Sequence, residues 1–167
     1  MNIENVKQDI ESWIINFLEK NNENLADWPP CPYARSARLK QSYDVRLGND
    51  LYHDMVNVCN DGIGDYEVVI YAYDPDTYTA EQFHETLYLV NSGFLVPVDL
   101  LALDDHPDHV EDVNGVTMNQ GTYALAMVQS LSDLNKRAKQ MGKAGFYKAW
   151  PEEYLEDLFA FREDPRT

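Results

Sequence analysis

Positive charge is missing from more than half of this sequence: no Lys or Arg occurs between Arg46 and Lys136. Residues 47–135 hold 16 carboxylates, whereas the two flanks share 13 acids and 13 bases, so the formal charge of −16 belongs to the middle segment. Such a field repels phosphate backbones and anionic lipid, which excludes nucleic acid and membrane surfaces as expected partners. It favours metal cations, basic partners or simple solubility. Cysteine is scarce as well. Cys31 and Cys59 are too few for a disulfide scaffold and form no C-x-x-C pair, so a reducing compartment is expected. No apolar run approaches the ~18 residues of a membrane span, and the amino-terminal segment is amphipathic and acidic instead of basic and then apolar. A cytoplasmic protein is the resulting expectation.

What is present suits one domain. A chain of 167 residues with 44% hydrophobic and 25% charged residues can bury a single sizeable core, and no repeat or low-complexity tract divides it. Ile3, Val6, Ile10, Trp13, Ile14, Phe17 and Leu18 recur at helical spacing. A short helix over 33–40 follows Pro29, Pro30, Cys31 and Pro32, with Cys31 at its amino cap. Strands are predicted over 43–47, 67–73 and 96–103. Helices are predicted over 51–60, capped by Asp50, and from a capping box at Thr79 and Gln82 to Asn91. Residues 104–119 read as a long polar loop, 123–141 as a helix and the segment after Pro151 as a last helix. The expected fold is therefore α/β: one domain over residues 1–162, with a small, mainly parallel sheet of three or four strands flanked by helices, and a frayed tail over 163–167.

Ligands of parallel sheets gather beyond the carboxyl ends of the strands. With the predicted order, that edge receives Asp50, His53 and Asp54 from the first strand, and Asp74, Asp76, Glu81, His84 and Glu85 from the second. The third delivers Asp104, Asp105, His106, Asp108 and His109. Imidazole and carboxylate together suit zinc, iron or manganese, so His106, His109, Asp105, His53 and His84 are candidate ligands of a divalent metal. His53 and His84 equally fit surface positions on helices. Cys31 is expected at the same edge, where a helix amino end with Arg35 and Arg38 nearby favours the thiolate. It reads either as a nucleophile or ligand or as a small buried residue fixing a proline turn.

Cys31-Pro32-Tyr33-Ala34 and His106-Pro107-Asp108-His109 together resemble an uncharacterised bacterial domain family in which C-P-F-A follows a first helix and F-H-P-D-Y follows a later strand. Asn119 and Tyr123 stand where that family has an asparagine-containing loop before a long helix. Asp105 replaces its phenylalanine and His109 its tyrosine. The resemblance implies that Cys31, His106 and Asp108 share one catalytic site. The first motif is also similar to the C-P-Y-C of glutaredoxins, with Ala34 in place of the second cysteine.

Two functions are compatible with these residues. One is a small enzyme, a metal-dependent oxidoreductase or hydrolase acting on a small molecule at the His, carboxylate and Cys edge. The other is an acidic binding or regulatory protein that presents its carboxylate-rich middle to a basic protein partner, with Trp28 as an anchor.

Overall fold

Asn2 opens the chain with an extended backbone, and its side-chain oxygen accepts from the N–H groups of Glu4 and Asn5 to cap α1 (Ile3–Trp13). The computed structural model describes residues 1–166. Past α1 the helix widens into a π-helical turn over Ile14–Leu18, and a loop through Pro29 and Pro30 leads to α2 (Ala34–Lys40). Then come β1 (Tyr43–Leu47), α3 (Leu51–Asp61), β2 (Val68–Tyr73), α4 (Ala80–Val90) and β3 (Leu100–Asp105). A hairpin of β4 (Asp112–Val113) and β5 (Val116–Thr117) precedes β6 (Ala124–Ser130), α5 (Leu131–Ala144) and α6 (Glu152–Leu158).

The main sheet has four strands in the order β1-β2-β6-β3. β1 and β2 pair in parallel, and β6 lies antiparallel between β2 and β3. Pairing is thus more antiparallel than expected, yet β1, β2 and β3 still run the same way and their carboxyl ends share one edge. The inserted strand is the largest correction to the sequence reading. Residues 124–130 were expected in a helix beginning at 123, but they form a central strand. Ala124, Leu125, Ala126 and Val128 are buried on both faces, so the alternation that marks a strand never develops.

Alternate residues separate two faces. Val69, Tyr71 and Tyr73 of β2 with Ala126 and Val128 of β6 meet Met55 of α3 and Phe83 and Leu87 of α4. Ile70, Ala72 and Leu125 meet Val6, Ile10 and Ile14 of the first helix. A third cluster, including Leu25, Val113, Ala138, Phe146, Trp150 and Leu155, knits the small hairpin to α5 and α6. The result is three layers, α/β/α.

Both outer strands are blocked by side chains. The Asp44 carboxylate accepts from the Val45 N–H at 3.0 Å and is held by Arg46 at 2.9 Å. On β3 the buried Asn91 amide donates to the Ala102 carbonyl at 2.8 Å and accepts from the Ala102 N–H at 2.9 Å, standing in for a fifth strand. Asn91 reaches that position because helix continues past α4 as a π-helical turn over Asn91–Leu95, where the sequence reading ended it. A short 3-10 turn over Val96–Val98 then delays β3 to Leu100. Gly48, directly after β1, packs so closely on the Tyr73 ring that a Cβ there would lie 2.0 Å from a ring carbon.

The segment expected as a long loop holds the hairpin, whose Asn114 and Gly115 take φ of 54° and 83°. These are the two positive values that a tight two-residue turn requires. In the tail expected to fray, Glu163 donates its N–H to Asn135 and Pro165 lies against Gly142; Thr167 lies outside the described residues. No helix among the described residues is long and apolar enough to cross a membrane.

Candidate functional site

The shared strand edge does collect the expected polar residues, but they settle into separate local pairs. Asp50 caps α3 through the His53 N–H, and the same carboxylate meets His53 Nδ1 at 2.8 Å on the surface. Its pKa is held below the usual range chiefly by that backbone N–H, so it stays charged. Asp54, one turn on, accepts from the Tyr73 hydroxyl at 2.9 Å and from the Asn49 N–H. His84 projects from α4 and meets Asp104 Oδ2 at 3.0 Å, with two-thirds of the ring in water.

His106 is buried at 2% exposure against Phe83. Its Nε2 donates to the Tyr78 carbonyl at 2.9 Å, and its Nδ1 accepts from the Asp108 N–H at 3.1 Å. Both ring nitrogens are occupied by backbone. The residue therefore locks the start of the 106–119 segment to the turn before α4. The Asp108 carboxylate points into solvent 4.0 Å from Nδ1, and His109 is exposed.

Asp105 faces the other side of β3. Its oxygens accept from the Asn119 amide at 2.7 Å and the Gln120 N–H at 2.8 Å. Asn119 also donates to the carbonyls of His106 and His109 and accepts from the Glu111 N–H. One asparagine thus closes the segment on itself. Burial raises the Asp105 pKa despite these bonds.

Glu111 is the residue the sequence reading did not single out. Half-buried, it accepts from the Tyr154 hydroxyl of α6 at 3.3 Å, and burial followed by repulsion from Asp104 and Asp105 pushes its pKa up to about 7. It can hold or release a proton at neutral pH. Only the fold brings α6 back over this segment, so no local spacing could have identified it.

Cys31 does not join this edge. Its N–H donates to the Leu18 carbonyl, and its thiol lies near Arg137 and Tyr147, on the face of the sheet that carries α1 and α5. His106 packs on the opposite face, under α4, so Cys31, His106 and Asp108 do not form one site. The expected amino cap is also absent, because Tyr33 precedes α2 and no side chain caps it. Burial raises the thiol pKa above the ordinary value, outweighing the backbone N–H groups of Tyr33 and Ala34. Arg38, expected to assist, makes two bonds to Glu19 instead.

Among the described residues no group of three or more His, Cys, Asp and Glu side chains is arranged to hold a metal ion. Two open grooves are found, neither lined by the histidines or by Glu111. One, of about 360 Å³, lies between the first helix and the 120–122 turn and includes Trp13, Asn16 and Gln120. The other lies between α5 and the carboxyl-terminal segment.

The tertiary structure does gather something the linear pattern only implied. α3, α4 and their connections fall wholly within the cation-free stretch, so this helical layer contributes no Lys or Arg. Asp61, Asp65, Asp74, Asp76, Glu81 and Glu85 are exposed there. Arg46, on the sheet at the margin of this layer, is engaged by Asp44 and the Tyr71 hydroxyl. The remaining cations belong to α1, α2, α5 and the segments joined to them. No family model, curated protein or solved structure matches this chain.

Proposed function

We propose that this chain is an acidic binding protein that recognises a basic protein partner through its α3–α4 layer. The observation that carries the reading is the segregation of charge: one helical layer of the sandwich has exposed carboxylates and no cation of its own, while the other holds nearly all the Lys and Arg. Opposite charge across an interface accelerates encounter and selects partners, and a surface without Lys or Arg of its own leaves most of its carboxylates open to do so. Blocked strand edges point away from strand addition as the docking mode and towards the helical surface.

The test is titration of the whole protein with a Lys- and Arg-bearing peptide, compared with two charge-reversed variants. Glu81→Lys with Glu85→Lys alters the α3–α4 layer; Glu153→Lys with Glu156→Lys alters α6 by the same charge. Selective loss with the first pair, and weakening with added salt, is the expected result. Equal loss with both pairs means attraction by net charge alone and ends the reading.

A second reading, acid–base chemistry on a small molecule, is favoured by Glu111, whose pKa of about 7 lies beside Tyr154 and the His84–Asp104 pair. Neither open groove is lined by these residues, which places this reading second.

A further inference from the structure

Within the cation-free layer, two exposed rings meet where α3 begins and the π-helical turn after α4 ends. Tyr52 is 46% exposed and Phe94 is 38% exposed. Their rings meet nearly at right angles, 82° with centroids 6.1 Å apart, and the His53 ring stands at 82° to Tyr52 with centroids 5.6 Å apart. The corner is built, not incidental. A regular α-helix over 91–95 would not place Asn91 inward on β3 and Phe94 outward in this way, and π-helical turns recur at functional sites. The Phe94 carbonyl is further tied to α3 by the Cys59 thiol at 3.4 Å.

Three rings outside this corner each have a guanidinium over them. Arg46 lies over Tyr71 at 5.8 Å, Arg137 over Tyr33 at 5.1 Å and Arg162 over Phe159 at 4.8 Å. Among the described residues no Lys or Arg lies over Tyr52 or Phe94, and the layer that bears them has neither. Two residues before Tyr52, the Asp50 carboxylate is half exposed. That carboxylate meets the His53 ring, which meets Tyr52. An exposed aromatic pair and a carboxylate thus share the start of α3 without an internal cation, an arrangement that suits a planar guanidinium able to stack and to form a charged hydrogen bond.

We infer that the Tyr52–Phe94 corner is the anchor of the interface and that it takes an arginine side chain of the basic partner, with Asp50 as the carboxylate that orients the guanidinium. The inference rests on the binding function proposed above and names its specificity. A lysine, a compact and strongly hydrated charge, gains less from a ring face and cannot pair in two directions with a carboxylate. Arginine is therefore preferred over lysine at equal charge.

Calorimetric titration of the full chain with two peptides of equal length and charge, one bearing arginine and the other lysine, tests this. The unmodified protein binds the arginine peptide more tightly. Tyr52→Ala with Phe94→Ala weakens that peptide by about tenfold and removes the preference, whereas Tyr52→Phe, which keeps the ring, retains it. Both altered residues are exposed, and thermal melts establish that each variant is folded; if the double variant fails to fold, Tyr52→Ala alone is read against Tyr52→Phe. Equal binding of the two peptides, or an arginine-peptide affinity unchanged by loss of the rings, overturns the anchor while leaving salt-dependent acidic recognition standing. If neither peptide binds, both the anchor and the binding function fall.

Discussion

A carboxyl group withdrawn from water beside other carboxyl groups keeps its proton to higher pH, and Glu111 is placed in this way. Its pKa rises from the ordinary 4.5 to about 7 because burial and the charges of Asp104 and Asp105 outweigh the Tyr154 hydrogen bond and His84. A raised acid pKa in the folded state gives stability that is complete below the unfolded value and lost as pH climbs through the folded one. Stability should therefore decline between about pH 4.5 and about pH 7. Glu111→Gln keeps an acceptor for Tyr154 but cannot ionise. Urea unfolding at about pH 5 should give similar midpoints for the two proteins, and at about pH 8.5 the variant should be the more stable. A variant that is less stable at the higher pH refutes this assignment. Asp105, also raised by burial, leaves a slope of the same sign in the variant. None of this was legible from sequence, since the groups come from β3, α4, the following segment and α6.

At the scale of elements, local signals are legible in the sequence and buried context is not. Asp50 before α3 and the Thr79–Gln82 box before α4 act on their own turns, and both caps are where the residue pattern put them. The Asn114-Gly115 turn is equally local, but it sits within a polar stretch, flanked by Val113 and Val116 as a hairpin requires. β6 had no local signature, because a central strand covered on both faces repeats apolar residues without alternation. The edge lock at Asn91 has a direct consequence. Asn91→Leu leaves the N–H and C=O of Ala102 unpaired and should cost about 2–4 kcal/mol. It should also expose β3 to pairing with a second copy. Denaturant titration measures the first effect and light scattering on mild heating the second. A variant of unchanged stability that stays monodisperse would show that the edge needs no lock.

For the whole molecule, charge is the governing property. A net −16 makes compaction work against self-repulsion, most of it in the middle segment, where pairing with cations is sparse. The described ion pairs, such as Arg38–Glu19 and Arg137–Glu67, lie largely on the opposite side. Screening should therefore help more than it harms: about 0.5 M NaCl is expected to raise the thermal midpoint measured by circular dichroism. A midpoint that falls instead would mean that ion pairs contribute more than repulsion removes. The same salt should weaken binding to a basic peptide, so stability and recognition respond in opposite directions.

By itself, the sequence determined the α/β class, the caps of α3 and α4, the strands β1 and β2, and the concentration of carboxylates between Arg46 and Lys136, because each of these is written in neighbouring residues or in composition. Tertiary structure alone decided that β6 enters the sheet against the direction of its neighbours, and that Cys31 and His106 lie on opposite faces. It also decided that Glu111 meets Tyr154 and that Tyr52 meets Phe94. Those relations join residues far apart in the chain, and their geometry follows from how buried surfaces pack, which no spacing along one segment encodes.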